Sequence, residues 1–285
     1  MSVSSRILIA DSGSSKTEWK IIDDKIPGES FYSTGINPYF LDSEEIYILL
    51  GKEISQLSGT SFTGIWFYGS GCNSPAKGNI VRGAIERFFD SGNIFIGSDL
   101  LAAARSLCLS KPGIACIMGT GSNSCYYDGE KIVSNIPPLG YILGDEGGGA
   151  VLGRKLLSSI LKKQVPAGIS ENFFERYKMT TAEILDNVYT KPFPNRFLGQ
   201  FAHFLSDNIN VPELKEIVVS SFEDFIVRNI LQYPESGHLP VHFTGSIAFH
   251  FREILIEQLR QNNLNPGYIT LTPITGLVQY HLINL

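Results

Sequence analysis

Two short turns rich in serine, threonine and glycine carry most of the chemistry legible in this chain. The first, Asp11-Ser12-Gly13-Ser14-Ser15-Lys16-Thr17, follows the apolar run Ile7-Leu8-Ile9-Ala10 and precedes Trp19-Lys20-Ile21-Ile22. The pattern returns where Ile114-Ala115-Cys116-Ile117-Met118 leads into Gly119-Thr120-Gly121-Ser122-Asn123 and then Cys125-Tyr126-Tyr127. Each reads as strand, tight polar turn, strand. Backbone N–H groups and hydroxyls converging in such turns form concavities that hold an anion such as phosphate. Neither common nucleotide signature is present: there is no G-x-x-x-x-G-K-[ST], and Ser124 stands where G-x-G-x-x-G needs its third glycine. One such turn is most simply an ordinary hairpin. Two in equivalent places, one opening with an aspartate, favour phosphate binding.

Three carboxylates stand where they could act. Asp11 ends an apolar strand, and beside bound phosphates it suits Mg²⁺, which takes one or two carboxylates plus waters and phosphate oxygens. The simpler but less favoured alternative is a turn aspartate bonding its own backbone. Asp99 lies between Ile94-Phe95-Ile96-Gly97-Ser98 and Leu100-Leu101-Ala102-Ala103-Ala104, where a strand hands over to a helix. Aspartate commonly caps a helix there, but it could also accept a proton from a substrate hydroxyl. Gly144-Asp145-Glu146-Gly147-Gly148-Gly149 opens a further helix. Its glycines allow close backbone approach, and Asp145 could bond a polyol; helix-terminal charge complementarity explains both acids equally simply. Thr244-Gly245-Ser246 repeats the strand-to-helix pattern and, taken alone, says little.

The elements that must position these residues fall into two similar halves. After the first hairpin come a helix at 43–57 capped by Asp42 or Ser43, an apolar run at 65–68, a helix at 76–90, the run 94–96 and a helix from about 100. After the second come a helix at 148–163, a mostly helical stretch to about 232 with its clearest turn at 189–200, an apolar run at 241–243, a helix at 247–262, a run at 268–271 and a terminal helix. Both halves read β-β-(β)-α-β-α-β-α, the second with a helical insertion between about 165 and 210. The expected domains are 1–112 plus 273–285 and 113–272, the last helix returning to the first. Such a duplicated α/β unit implies two lobes with a ligand-binding cleft between them.

With 285 residues, the chain is long enough for two domains at ~150 residues each. It is 43% hydrophobic and 18% charged, too apolar for a disordered protein. A net charge of −5 argues against a nucleic-acid partner, and no apolar run approaches the ~18 residues of a membrane span. The cysteines at 72, 108, 116 and 125 form no C-x-x-C pair, which points to reduced thiols in the cytoplasm. His238 and His242 are separated by Pro240, which disfavours a metal-binding helical turn.

Together these segments resemble the sugar kinase, Hsp70 and actin superfamily, and within it the N-acetylglucosamine kinase branch of the BadF/BadG/BcrA/BcrD-type ATPase family. The resemblance implies a two-lobed, duplicated ribonuclease H-like (actin-like ATPase) fold. It also implies that Ser14, Ser15, Lys16 and Thr17 bind ATP with Gly119, Thr120, Gly121 and the adenosine motif Gly245-Ser246. By the same resemblance Asp11 takes the Mg²⁺-associated position, directly or through water, and Asp99 is the catalytic base. Asn37, in Gly35-Ile36-Asn37-Pro38, would contact the sugar together with Gly71, Asn123 and Asp145. Ser12 and Ser14 replace glycines usual in the first turn, where their hydroxyls could also donate. Pro137-Pro138-Leu139-Gly140 lacks a tryptophan found before the G-D-E-G loop of animal members.

The expected function is ATP- and Mg²⁺-dependent phosphorylation of an N-acetylated amino sugar, N-acetylglucosamine or a relative such as N-acetylmuramic acid, by a cytoplasmic homodimer. An iron–sulfur ATPase activator of a dehydratase and a non-catalytic sugar sensor are the alternatives.

Overall fold

The computed structural model describes residues 5–13 and 15–284. The chain divides into two compact units, one of Met1–Lys111, Asp128–Ile132 and Thr272–Leu285, the other of Pro112–Tyr127 and Val133–Leu271. In the first unit β1 (Arg6–Ser12), β2 (Lys16–Asp23) and β3 (Ile26–Thr34) precede α1 (Ser43–Glu53), β4 (Gly64–Gly69), α2 (Pro75–Phe88), β5 (Ile94–Ser98) and α3 (Asp99–Cys108). The sheet order is β3-β2-β1-β4-β5. β1 runs antiparallel to β2 and parallel to β4, which in turn runs parallel to β5.

Strand periodicity explains why β1 is apolar on both faces. Leu8 and Ala10 join Trp19, Ile46, Leu50, Phe67, Val81 and Ile85 in one buried cluster, while Ile7 and Ile9 point into another. Asp42 caps α1 with a capping box: the Asp42 carboxylate accepts the Glu45 N–H at 2.8 Å, and the Glu45 carboxylate accepts the Asp42 N–H at 2.8 Å. The helix ends at Glu53, and a 3-10 turn at Ser55–Leu57 completes the expected span.

The second unit repeats the plan. β6 (Gly113–Met118), β7 (Ser122–Tyr127) and β8 (Ile132–Ile136) lead to α4 (Gly140–Leu143) and α5 (Gly149–Leu161). The insertion follows as α6 (Ala167–Tyr177), α7 (Thr181–Tyr189), α8 (Pro194–Gly199) and α9 (Ala202–Asp207), held by Phe173 against Tyr177, Phe201 and Phe204 at centroid distances of 4.7, 5.4 and 5.2 Å. Then come α10 (Pro212–Arg228), β9 (Pro240–Thr244), α11 (Ser246–His250), α12 (Arg252–Gln261) and β10 (Asn265–Thr270). The sheet order is β10-β9-β6-β7-β8, which is the order of the first sheet with each strand replaced by its counterpart. The duplicated two-lobed α/β class expected from the sequence is therefore the fold.

Three local expectations need correction. The single helix expected at 247–262 breaks at Phe251 (φ −106°, ψ 23°), because the buried Phe251 turns the chain so that Ile254, Leu255 and Leu259 of α12 reach the core. The run expected at 268–271 is a strand from Asn265 to Thr270; it includes Pro266, which an edge strand tolerates. Within the expected turn at 189–200, Pro194 starts α8 after Phe193 in the left-handed region (φ 58°).

The chain then returns to the first unit as α13 (Ile274–Asn284). Ile274, Leu277 and Val278 bury against Ile7, Ile9 and Ala102, and the Tyr68 hydroxyl lies 3.0 Å from Nε2 of His281.

Candidate functional site

In the first unit, the parallel register places Ser12 beside Gly69 and Gly69 beside Ser98. Asp11, Ser70 and Asp99 therefore share the carboxyl-terminal edge of β1, β4 and β5, the edge at which open α/β sheets bind ligands. Ser98, not Asp99, is the N-cap of α3; its hydroxyl accepts the Leu101 N–H at 3.2 Å. The Asp99 carboxylate is turned elsewhere. Oδ1 accepts the Leu100 N–H at 2.8 Å, and Oδ2 accepts the Ser70 hydroxyl at 2.6 Å. Burial raises the proton affinity of Asp99 above the ordinary carboxylate range, opposed by those two donors. Asp11 is pushed up to about 7, first by burial and then by the negative charges of Asp99 and Glu18.

Asn37 and Gly71 are brought together. Gly71 has φ +83°, and a Cβ there would strike the Asn37 side-chain amide, so its backbone lies directly against that residue. Asn37 Oδ1 accepts the Tyr39 N–H at 2.9 Å. The Lys77 ammonium steadies the loop by donating to the Pro38 carbonyl at 2.8 Å while resting 4.4 Å over the Tyr39 ring.

The first turn is arranged differently from the expectation. Ser12 and Thr17 are both fully buried. The Ser12 hydroxyl accepts the Ile36 N–H at 2.9 Å and lies 2.8 Å from the Thr17 hydroxyl, which reaches the Thr34 carbonyl at 3.2 Å. These side chains tie β1 and β2 to the end of β3 and offer no hydroxyl at the turn. Ser15 and Lys16 are exposed, with the Lys16 ammonium 3.7 Å above the Tyr32 ring. Ser14 lies outside the described residues.

In the second unit the hairpin docks on α5. Gly149 N–H donates to the Gly119 carbonyl and Ala150 N–H to the Thr120 carbonyl, each at 2.8 Å. Asp145 (φ +53°) reaches back, its Oδ1 accepting the Ser122 N–H at 3.2 Å. Burial raises its proton affinity, partly offset by that N–H. Its neighbour Glu146, only 8% exposed, is clamped by Arg228 at 2.6 Å and Asn229 at 3.3 Å, a pairing that the sequence did not reveal. Asn123 Oδ1 accepts the Ser124 N–H and the Asn135 amide, both at 2.9 Å. Gly245 (φ +120°) presses its backbone on Met118 and Gly119, joining the expected adenosine motif to the hairpin, while Ser246 stands exposed at the start of α11.

Among the described residues no three metal-ligating side chains cluster. His242 is engaged by the Tyr268 N–H at 2.9 Å and pushed down to about 4 by burial. All four cysteines are buried thiols outside any disulfide. A Mg²⁺ ion suits the Asp11 edge: the charges acting on Asp11 are negative, and one or two carboxylates with nucleotide oxygens form a sufficient donor set. Among the described residues no helix is long and apolar enough to cross a membrane.

Comparison with solved structures places the architecture in the actin-like ATPase and sugar kinase class. A putative N-acetylglucosamine kinase from Chromobacterium violaceum shares the fold at 15% identity (TM-score 0.74; 97% of this chain, 98% of that one). So does a ROK-family glucokinase from Streptomyces griseus, solved with glucose and AMPPNP, at 12% identity (TM-score 0.54; 96% and 97%). A putative N-acetylglucosamine kinase from Porphyromonas gingivalis is 44% identical with a TM-score of 0.91, over 98% of this chain and 99% of that one. The present chain belongs to the same sugar kinase family as the Porphyromonas protein. No family model matches the sequence, and no curated protein does.

Proposed function

We propose that the protein is an ATP-dependent kinase of an N-acetylated amino sugar, N-acetylglucosamine in the first instance. The observation that carries this reading is the relative, 44% identical over 98% of this chain, that is described as a putative N-acetylglucosamine kinase. Two features of this chain support it: the paired Asp11 and Asp99 at one sheet edge, and the Gly119-Thr120-Gly121 hairpin against Gly245.

In the proposed reaction Asp99 accepts the proton of a sugar hydroxyl as its oxygen bonds to the γ-phosphorus and the bond to ADP breaks. Asn37, Gly71, Asn123 and Asp145 orient the sugar. Ser15 and Lys16, with Ser14 and Thr17 as neighbours in the turn, and Gly119, Thr120, Gly121, Gly245 and Ser246 bind the nucleotide. Thr17 holds the turn in place, since its hydroxyl is committed within the fold and it is paired with Ser12 and Ser33 in the sheet. Asp11 would hold Mg²⁺, which neutralises phosphate charge when bound. Catalysis of this kind is chiefly positioning and electrostatics.

A sugar panel with coupled ADP detection tests the reading. N-acetylglucosamine should be turned over in clear preference to glucose; equal rates would sink the amino-sugar assignment. Asp11→Ala and Thr120→Val should weaken Mg²⁺-ATP binding more than sugar binding measured without nucleotide.

A further inference from the structure

The Asp99 carboxylate is held by backbone N–H groups of its own helix's first turn and by the Ser70 hydroxyl, which comes from outside that helix. The Leu100 N–H belongs to the next residue and does not by itself select one side-chain orientation. The Ser70 hydroxyl, at 2.6 Å from Oδ2, is a short bond of the charge-assisted class. Ser70 is itself anchored: its N–H donates to the Ser12 carbonyl at 3.0 Å, so its backbone is tied to the end of β1 while its hydroxyl reaches the end of β5. It stands between Gly69, where a Cβ would meet the Phe67 ring, and Gly71, whose backbone lies against Asn37. The sequence presents this serine only as the centre of a Gly-Ser-Gly stretch, yet its backbone and side chain together join three strand ends.

Resting on Asp99 as the proton acceptor, we propose that Ser70 is a positioning residue, whose hydroxyl fixes the Asp99 carboxylate in the orientation that meets the sugar hydroxyl. With the Leu100 N–H on one oxygen and the Ser70 hydroxyl on the other, the carboxylate plane is set before substrate arrives, and lone-pair capacity remains for the incoming proton. Without Ser70 the side chain is tethered only by its own helix turn, and a displacement of about 1 Å at a reacting group can cost about a hundredfold in rate.

The test is a double-mutant cycle with N-acetylglucosamine and Mg²⁺-ATP. Ser70→Ala should lower kcat about 10- to 100-fold while both KM values stay within about twofold, and Ser70→Thr should restore most of the loss. In the Asp99→Asn background, Ser70→Ala should cost nothing further. Additive losses, or a loss confined to KM, would overturn the proposal even with Asp99 confirmed as the base. Wild-type turnover by Asp99→Asn would instead remove the base assignment itself. The crystal structure of Ser70→Ala decides independently of any assay: Asp99 turned away from its present position supports the role, and Asp99 unmoved overturns it.

Discussion

The carboxylate of Asp145 occupies the space that a side chain at Gly121 would need. A Cβ built on Gly121 would lie 2.8 Å from Oδ2 and 2.9 Å from Oδ1 of that aspartate. The hairpin glycine and the G-D-E-G aspartate are thus one packing unit, closed by the Ser122 N–H that Asp145 accepts. An aspartate side chain is short and cannot swing clear while keeping that bond.

Gly121→Ala should therefore displace Asp145 without unfolding the second unit. The expected result is a sugar affinity lowered by at least tenfold, with a change in Tm of a few degrees at most. Sugar titration by calorimetry, beside a thermal melt, reads both; unchanged affinity would separate Asp145 from sugar binding.

Asp99→Asn should cut kcat by about 10²–10⁴, the usual contribution of a positioned base, with sugar binding largely kept. Steady-state kinetics and sugar binding on the same preparation check it. Near-wild-type turnover would leave Asp99 without a catalytic task.

Asp11 makes the metal-free protein sensitive to pH. Its proton affinity rises from 3.8 to about 7 on folding, so the stability it lends is full below pH 3.8 and is lost as pH climbs to 7. Asp11→Asn and wild type should melt alike near pH 4 in EDTA. By pH 7–8 the variant should be the more stable by several degrees, and Mg²⁺ with ADP should reverse that order. Parallel pH dependence of the two melts would contradict the assignment.

His281 has the opposite sign. Burial, aided by the Arg105 charge, pushes it from 6.5 down to about 4, so it is neutral in the fold and its contribution is lost as pH falls from 6.5 towards 4. His281→Gln should flatten that acid decline by up to about 2–3 kcal/mol. Urea midpoints at pH 7 and 4.5 would show it as a difference in slope between variant and wild type.

The hairpins, the duplicated order of elements and the Asp99 handover were legible because each strand–turn–strand carries an apolar run beside a Gly/Ser/Thr cluster. Less visible were β3 and β8, whose residues are largely solvent-facing and so lack an apolar signature. Long-range partners left no local trace either. Ser12 and Thr17 looked like donors in an open turn, because nothing near them in sequence announces that Ile36 and Thr34 will occupy their hydroxyls. The Glu146–Arg228 pair and the backbone of Gly245 on Met118 likewise join residues from distant segments. Short-range chemistry was readable; its wiring was not.

The return of α13 has a consequence for biosynthesis. Ile7 and Ile9 are covered partly by Ala102 of α3 and partly by Ile274, Leu277 and Val278, which are translated only after the whole of the second unit. The intervening unit can collapse while translation proceeds, whereas one face of the first sheet has only α3 to cover it until α13 emerges. Domains usually complete themselves in the order of synthesis; here the first unit is begun before the second and completed after it. A nascent chain arrested before residue 272 should therefore expose apolar strand surface to chaperones, and the synthesis of α13 should be what closes the sheet.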